Sequence, residues 1–302
     1  MKNWYQIHEQ SAGKYRLELL WWVYKIFGIR FLKIVLWPTI AVIYLFAKNA
    51  RKHSKQYIKI LNEYQEKNNL SKSKFSTLSH IYSFASAAVD KMSAACDKKR
   101  KIKFSVYKNN DWDEFNKYLD SNTGVFLICS HVGNIEAFSA FPNSQNKKMH
   151  AFMQISQNSI FHDFVTRHNK NKNTTIYPTE DINMDIASEM YDNLQNGDLV
   201  MMAGDRTSPN TPLRFEQTSF LGQYCRFPVG TFKFARAQSH PIFAICLMNI
   251  KKERYAIYIK QIKASTIKEM VDEYAKFLEK MVILYPQQWF NFFDFFEKTP
   301  KN

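Results

Sequence analysis

Glycine and proline are nearly absent from the first third of this 302-residue chain. No glycine occurs between Gly28 and Gly124, and Pro38 is the only proline in that interval. A multi-stranded fold needs such residues at its turns, so the segment is predicted to form long helices. We place these helices at 14–47, with a kink or break near Pro38, then at 48–68 and 75–97.

Cysteine is also scarce, and its spacing excludes the common cysteine-based sites. The four cysteines are Cys96, Cys129, Cys225 and Cys246. None forms a C-x-x-C pair, and no histidine has the spacing of a common zinc motif. We therefore expect neither a disulfide framework nor a metal site.

Acidic residues are few in the same first third, although basic residues are common there. Residues 1–110 hold 21 Lys and Arg against 6 Asp and Glu, which accounts for the whole formal charge of +15. Such a segment can attract nucleic acid, an anionic membrane or an acidic protein. Large apolar residues are interleaved with the basic ones, for example Trp21, Trp22 and Phe27, and this favours a bilayer interface. The rest of the chain is neutral and has no nucleic-acid motif, so nucleic acid is disfavoured.

The length of the apolar run 34–47 bears on whether the chain spans a membrane or lies at its surface. It has 14 residues without charge, fewer than the roughly 20 that a spanning helix needs, and basic residues flank both sides. An interfacial or shallowly inserted helix pair is therefore favoured over one span, and a buried hairpin of a soluble protein is a third alternative. No short apolar stretch is followed by a small-residue cleavage site, so we expect no removable signal peptide and a cytoplasmic location.

After about residue 110, short apolar runs alternate with helical patterns. The predicted strands are Val125–Cys129, Met149–Met153, Thr175–Tyr177, Leu199–Ala203, Ile242–Leu247 and Tyr255–Ile259. The predicted helices are 134–141, 159–169, 182–195, 228–238 and one that begins at a Thr266/Glu269 capping box and ends before Pro286. This alternation predicts an α/β fold with a largely parallel sheet flanked by helices. The domains are then a basic, aromatic, helical membrane-docking region, 1–110, and an α/β domain, 111–302.

The most informative segment runs from Gly124 to Glu136, where a buried strand leads into a polar turn. Ligands of open α/β sheets bind at the carboxyl ends of strands, which is where His131 is expected. Gly133 permits a tight turn and Asn134 can cap the following helix. If His131 precedes the helix and Glu136 points back, the carboxylate can orient the imidazole as a general base. An ordinary hydrogen-bonded histidine remains the alternative.

A second strand, Leu199–Ala203, also ends in a polar turn. If the two strands are neighbours, Arg206 and His131 line one rim, where the guanidinium can hold a phosphate or an oxyanion. A surface turn with an Asp205–Arg206 pair is the alternative. Arg167, near the end of a predicted helix, is a weaker candidate. The predicted substrate-binding residues are Arg206, Asp205, Gly133, Asn134 and Arg167.

With these motifs the chain resembles the lysophospholipid acyltransferase superfamily, and within it the bacterial lipid A late (lauroyl/myristoyl) acyltransferases. The matching features are an apolar N-terminal helical region, the His-x4-acid motif at His131 and Glu136, Gly204-Asp205-Arg206, Leu221-Gly222, Phe227-Pro228-Val229-Gly230 and Tyr285-Pro286-Gln287-Gln288-Trp289.

The resemblance implies an enzyme on the cytoplasmic face of the bacterial inner membrane, working without a metal or other cofactor. It implies an acyl carrier protein or coenzyme A thioester as donor, a lipid hydroxyl or amine as acceptor, and His131 with Glu136 as the catalytic dyad. The chain before the motif is equally similar to acyltransferases of aryl polyene or aminolipid synthesis. A lipid A precursor, another acceptor such as a lysophospholipid, and a non-catalytic docking protein on the same scaffold therefore remain alternatives.

Overall fold

A computed structural model describes residues 14–97, 102–144, 146–154, 163–164, 167–168, 173–206, 214–251 and 253–296. The α-helices are α1 (Lys14–Phe46), α2 (Lys48–Lys67), α3 (Thr77–Cys96), α4 (Asn110–Leu119), α5 (Met184–Gln195), α6 (Gly230–Ala237) and α7 (Ile267–Leu284). The strands are β1 (Lys103–Val106), β2 (Val125–Cys129), β3 (Met149–Met153), β4 (Thr174–Pro178), β5 (Leu199–Ala203), β6 (Phe215–Phe220), β7 (Gln223–Pro228), β8 (Ile242–Lys251) and β9 (Arg254–Ile262).

Within the described ranges, seven strands form one sheet in the order β1-β9-β8-β2-β5-β3-β4, and β6 pairs with β7 in a separate hairpin. All neighbours in the large sheet are parallel except β8 and β9, which are antiparallel. The predicted α/β class with a largely parallel sheet is therefore confirmed. Strand β2 lies centrally between β8 and β5, and its five residues are all buried, as expected for a parallel strand covered on both faces.

The two faces of the sheet carry separate cores. One face packs against α7, α2 and the hairpin through side chains such as Phe126, Tyr57 and Tyr274. The other face packs against α4 and the segment after β2 through Phe115, Phe138 and neighbouring residues. The Tyr274 hydroxyl of α7 donates to the carbonyl of Cys129 at 2.8 Å, which fixes the end of β2 where the site begins.

Most predicted elements lie where the sequence placed them, with two corrections. The first predicted helix is interrupted at Gly28, which has φ 77° and ψ 173°, whereas Pro38 lies inside the helix. Gly28 adopts this conformation without steric cost because it lacks a Cβ. The segment after β2 is a 3₁₀ helix, Ile135–Ala140, rather than the α-helix predicted at 134–141.

Several elements were not predicted. These are β1, α4 and the β6–β7 hairpin. Most of the helix predicted at 159–169 lies outside the described residues. The domain boundary at residue 110 stays a prediction, although β1, which precedes it, pairs with β9 in the main sheet.

Helix α1 presents two different faces. Trp21, Tyr24 and Leu32 are buried against α3. The opposite face exposes large apolar side chains, among them Leu19, Trp22, Ile26, Phe27, Ile34, Trp37, Val42, Leu45 and Phe46. In the described part of the chain, Leu17–Phe46 is the one helical stretch long and apolar enough to cross a membrane.

Candidate active site

His131 and Asp205 face each other because two parallel strands have matched register. Cys129 of β2 is paired with Ala203 of β5, so the second residue after each strand reaches the same position above the sheet. The His131 backbone N–H donates to Asp205 Oδ2 at 2.8 Å, and His131 Nδ1 lies 2.8 Å from Asp205 Oδ1. One carboxylate therefore holds both the backbone and the ring of the histidine.

The electrostatics of this pair define the histidine tautomer. Burial opposes ionisation of Asp205, but the electrostatic attraction and hydrogen bonds of His131, together with the charge of Arg206, outweigh burial and lower the pKa of the carboxyl. An ionised carboxylate only accepts, so Nδ1 carries the proton and Nε2 is the free base of the neutral ring. Among the residues that the structure describes, none hydrogen-bonds to Nε2, and the side chain is 40% exposed. His131 thus presents a basic nitrogen to the surface of the site.

The turn after β2 requires glycine at position 133. Gly133 has φ +75°, and a Cβ there would lie 2.0 Å from the carbonyl oxygen of Leu247 in β8. Its N–H donates to Gln288 O at 2.8 Å, and the N–H of Phe290 donates to His131 O at 3.1 Å. The predicted tight turn is confirmed, and the C-terminal segment 288–290 lines it.

Asn134 does not form the predicted helix cap. Its side chain makes no capping hydrogen bond to the 3₁₀ helix and instead donates through Nδ2 to the Tyr255 hydroxyl at 3.2 Å. The residue is buried, and its Oδ1 has no partner among the described residues. The Tyr255 hydroxyl of β9 therefore holds the Asn134 side chain in the interior.

Among the described contacts, none joins the Glu136 carboxylate to the His131 ring. The carboxylate pairs with the ammonium group of Lys91 on α3. The charge of Glu136 still acts on the end of β2. The pKa of the Cys129 thiol is raised first by burial and then by the charges of Asp205 and Glu136. The orienting position that the sequence assigned to Glu136 is filled by Asp205. Lys91 was missed altogether, since nothing local in α3 distinguishes it from a solvated lysine.

The other two predicted substrate-binding residues have different surroundings. Arg206 donates through Nη2 to Phe290 O at 2.6 Å and lies over the ring of Phe293 at 5.2 Å. It is therefore on the same rim as His131, as predicted for neighbouring strands. Arg167 pairs with Glu18 of α1 at 2.6 Å, and no described contact joins it to His131.

Two features bear on alternative chemistries. Cys129 is buried and the pKa of its thiol is raised well above the ordinary value, which makes it a poor nucleophile. Within the described ranges, no cluster of three or more His, Cys, Asp or Glu side chains is arranged to hold a metal ion.

A histidine bonded to a buried carboxylate, at the carboxyl end of a central parallel strand, has the geometry that a general base requires. The family model for bacterial lipid A biosynthesis acyltransferases matches residues 8–298. The chain therefore belongs to that family, as the sequence motifs predicted. No curated protein matches it significantly.

Proposed function

We propose that this protein transfers a fatty acyl chain from a thioester donor to a hydroxyl or amine of a lipid, with His131 as general base. The observation that carries this proposal is the bond from His131 Nδ1 to the buried Asp205, which turns Nε2 of the partly exposed ring away from the carboxylate. The family supports an acyl donor and a lipid acceptor.

The proposed chemistry follows from the tautomer with the proton on Nδ1. Nε2 of His131 takes the proton from the acceptor O–H or N–H as the acceptor attacks the thioester carbonyl. Asp205 keeps the proton on Nδ1 and stabilises the positive imidazolium that forms. The tetrahedral intermediate then expels the thiolate, which receives the proton from Nε2. An ester or amide and a free thiol result, with no acyl-enzyme and no cofactor.

The proposal includes the acyl donor and the lipid acceptor. An acyl carrier protein or coenzyme A carries the donor thioester, and a lipid A precursor is the first acceptor to test because of the family. A lysophospholipid or an aminolipid offers the same nucleophilic groups. Arg206 is on the rim with His131, where its guanidinium can contact a phosphate or the developing oxyanion.

We also propose that the protein works on the cytoplasmic face of the inner membrane. The exposed apolar face of α1 supports membrane attachment, and the basic helix α2 follows it directly. A bilayer interface accommodates an apolar surface beside exposed lysines.

The test is transfer by purified protein in detergent. Lauroyl-coenzyme A or lauroyl-acyl carrier protein is supplied with a lipid A precursor that has a free hydroxyl, or with lysophosphatidylethanolamine. Products are identified by mass spectrometry. A positioned base contributes roughly 10² to 10⁴ in rate, so His131→Ala should lose most of the transfer.

The matched control is His240→Ala, because His240 lies just before β8, at the amino end of the parallel strands, whereas His131 follows the carboxyl end of β2. This variant should keep wild-type transfer. No thioester turnover by the wild-type protein with either donor, or full turnover by His131→Ala, would exclude the proposed function and leave the fold alone.

A further inference from the structure

The Lys91–Glu136 ion pair is not explained by the general-base pair. Glu136 is the acidic residue of the His-x4-Glu motif, yet it bonds to a lysine of another element. The two side chains are 34% and 26% exposed, so as a surface pair it adds at most about 1 kcal/mol of stability. Stability alone therefore gives little reason for this pair to lie beside His131.

The position of Lys91 is well defined by its neighbour. Asp90 is almost fully buried and pairs through Oδ2 with Lys33 of α1 at 2.6 Å. The Tyr82 hydroxyl of α3 also donates to the carbonyl of Lys33 at 3.1 Å. These bonds hold α3 against α1 and fix the backbone at Lys91. The Lys91 ammonium then pairs with Glu136 of the 3₁₀ helix.

We propose that Lys91 is a positioning residue of the acceptor site. By pairing with Glu136, it holds that carboxylate at the rim and clear of the His131 ring, where the carboxylate accepts a hydrogen bond from the acceptor. This inference rests on the proposed function and adds the residue that orients the acceptor.

The physical reason is that the Glu136 carboxylate and the acceptor group would compete for the position beside Nε2 of His131. A glutamate side chain without Lys91 is free to turn toward His131, which becomes an imidazolium during the reaction. There it would occupy the place of the acceptor hydroxyl or amine. The ammonium of Lys91 attracts the carboxylate away from this place, and an ionic hydrogen bond to the acceptor is worth roughly ten- to hundredfold in affinity.

The experiment separates KM for the acceptor from kcat, with lauroyl-coenzyme A and the lipid that the wild-type protein acylates in the panel above. Lys91→Met should raise the acceptor KM about tenfold or more while kcat stays within about threefold. Lys91→Arg keeps the positive charge and should stay near the wild-type KM. The matched control is Lys117→Met, which removes an exposed ion pair with Glu114 on α4.

A double-mutant cycle tests whether Lys91 acts through Glu136. Glu136→Ala should raise the acceptor KM by a similar factor, and adding Lys91→Met to it should change nothing further. Additive losses, an unchanged KM in Lys91→Met, or equal losses in Lys91→Arg and Lys91→Met would each overturn the inference. If Lys91→Met does not fold, Lys91→Gln replaces it in both the single and the double variant, with the same expected KM values. Wild-type turnover in the same assay shows that the proposed function stands independently.

Discussion

At the scale of single residues, the site depends on which carboxylate touches His131. Asp205 is buried, its pKa is lowered, and it bonds to both the ring and the backbone of His131. Glu136 is partly exposed and pairs with Lys91. The two acids therefore have different roles, although both lie near the end of β2.

This difference predicts unequal effects of two conservative substitutions. Asp205→Asn removes the charge that keeps the proton on Nδ1, so kcat should fall roughly 10² to 10⁴-fold. Glu136→Gln should lower turnover much less, because it leaves the His131–Asp205 bond intact. Steady-state kinetics with saturating acceptor measure both values.

The comparison is informative only if both variants fold, so the unfolding temperature of each should be measured beside that of the wild-type protein. A larger loss of kcat in Glu136→Gln than in Asp205→Asn would contradict the structure. It would restore Glu136 as the direct partner of the histidine.

At the scale of elements, a buried histidine joins two N-terminal helices to the C-terminal segment. His80 of α3 lies 2.9 Å through Nδ1 from the Ser54 hydroxyl of α2, and 2.9 Å through Nε2 from the carbonyl of Trp289. A carbonyl only accepts, so Nε2 carries the proton and Nδ1 accepts from Ser54. Trp289 also forms an isolated antiparallel β-bridge with Val132, which follows His131.

His80 should make the fold less stable in acid. Burial lowers the pKa of His80 to about 4, while the unfolded chain titrates near its ordinary value of 6.5. Between these values only the unfolded state binds the proton, so the His80 contribution is fully present above pH 6.5 and declines as pH falls toward 4. The total loss is about 3 kcal/mol.

Urea unfolding at pH 7.5, 6 and 5 in detergent, followed by tryptophan fluorescence, measures this dependence. His80→Asn should be less stable at pH 7.5 and should show a shallower decline than the wild-type protein. Since the pKa of His53 is also lowered, mainly by burial, the difference between wild type and variant isolates His80. Parallel pH curves for the two proteins would show that His80 is not the titrating group.

At the scale of the whole molecule, apolar and basic surfaces are adjacent. Helix α1 exposes one apolar face, and the next helix exposes Lys48, Lys52 and Lys55 at spacings of four and three residues. These spacings place the three ammonium groups on one side of α2. We therefore predict that an anionic membrane attracts the basic side of α2 while the exposed apolar face of α1 enters the bilayer interface.

Reversing these three charges should weaken membrane binding. A lysine near an anionic surface contributes about 1 kcal/mol, so the Lys48→Glu, Lys52→Glu, Lys55→Glu variant should partition at least tenfold less into phosphatidylglycerol-containing vesicles at low salt. Sedimentation with vesicles measures the partition. The difference should shrink in about 0.5 M salt because screening shortens the Debye length.

The matched control reverses three exposed lysines of the α/β part, Lys233, Lys251 and Lys263, and changes net charge equally. It should bind nearly as well as the wild-type protein. Equal weakening in both triple variants would assign binding to net charge rather than to α2. A wild-type protein that is soluble without detergent and ignores these vesicles would contradict membrane docking itself.

Local patterns in the chain were sufficient for much of this architecture. Hydrophobic periodicity placed α2, α3 and the central strands, and Thr266 with Glu269 marked the start of α7, where the capping box is present. Such signals depend on residues a few positions apart, so they can be read without the fold. The motif around His131 also predicted the family and the position of the histidine above the sheet.

The partners of the site residues depend on contacts between distant parts of the chain. Asp205 lies 74 positions after His131 and reaches it only because β5 pairs with β2 in matched register. Lys91 reaches Glu136 because α3 packs beside the 3₁₀ helix. The five-residue spacing of His131 and Glu136 suggested a bond between them. Strand pairing and helix packing are long-range interactions. They decide that Asp205 bonds to His131 and that Lys91 pairs with Glu136.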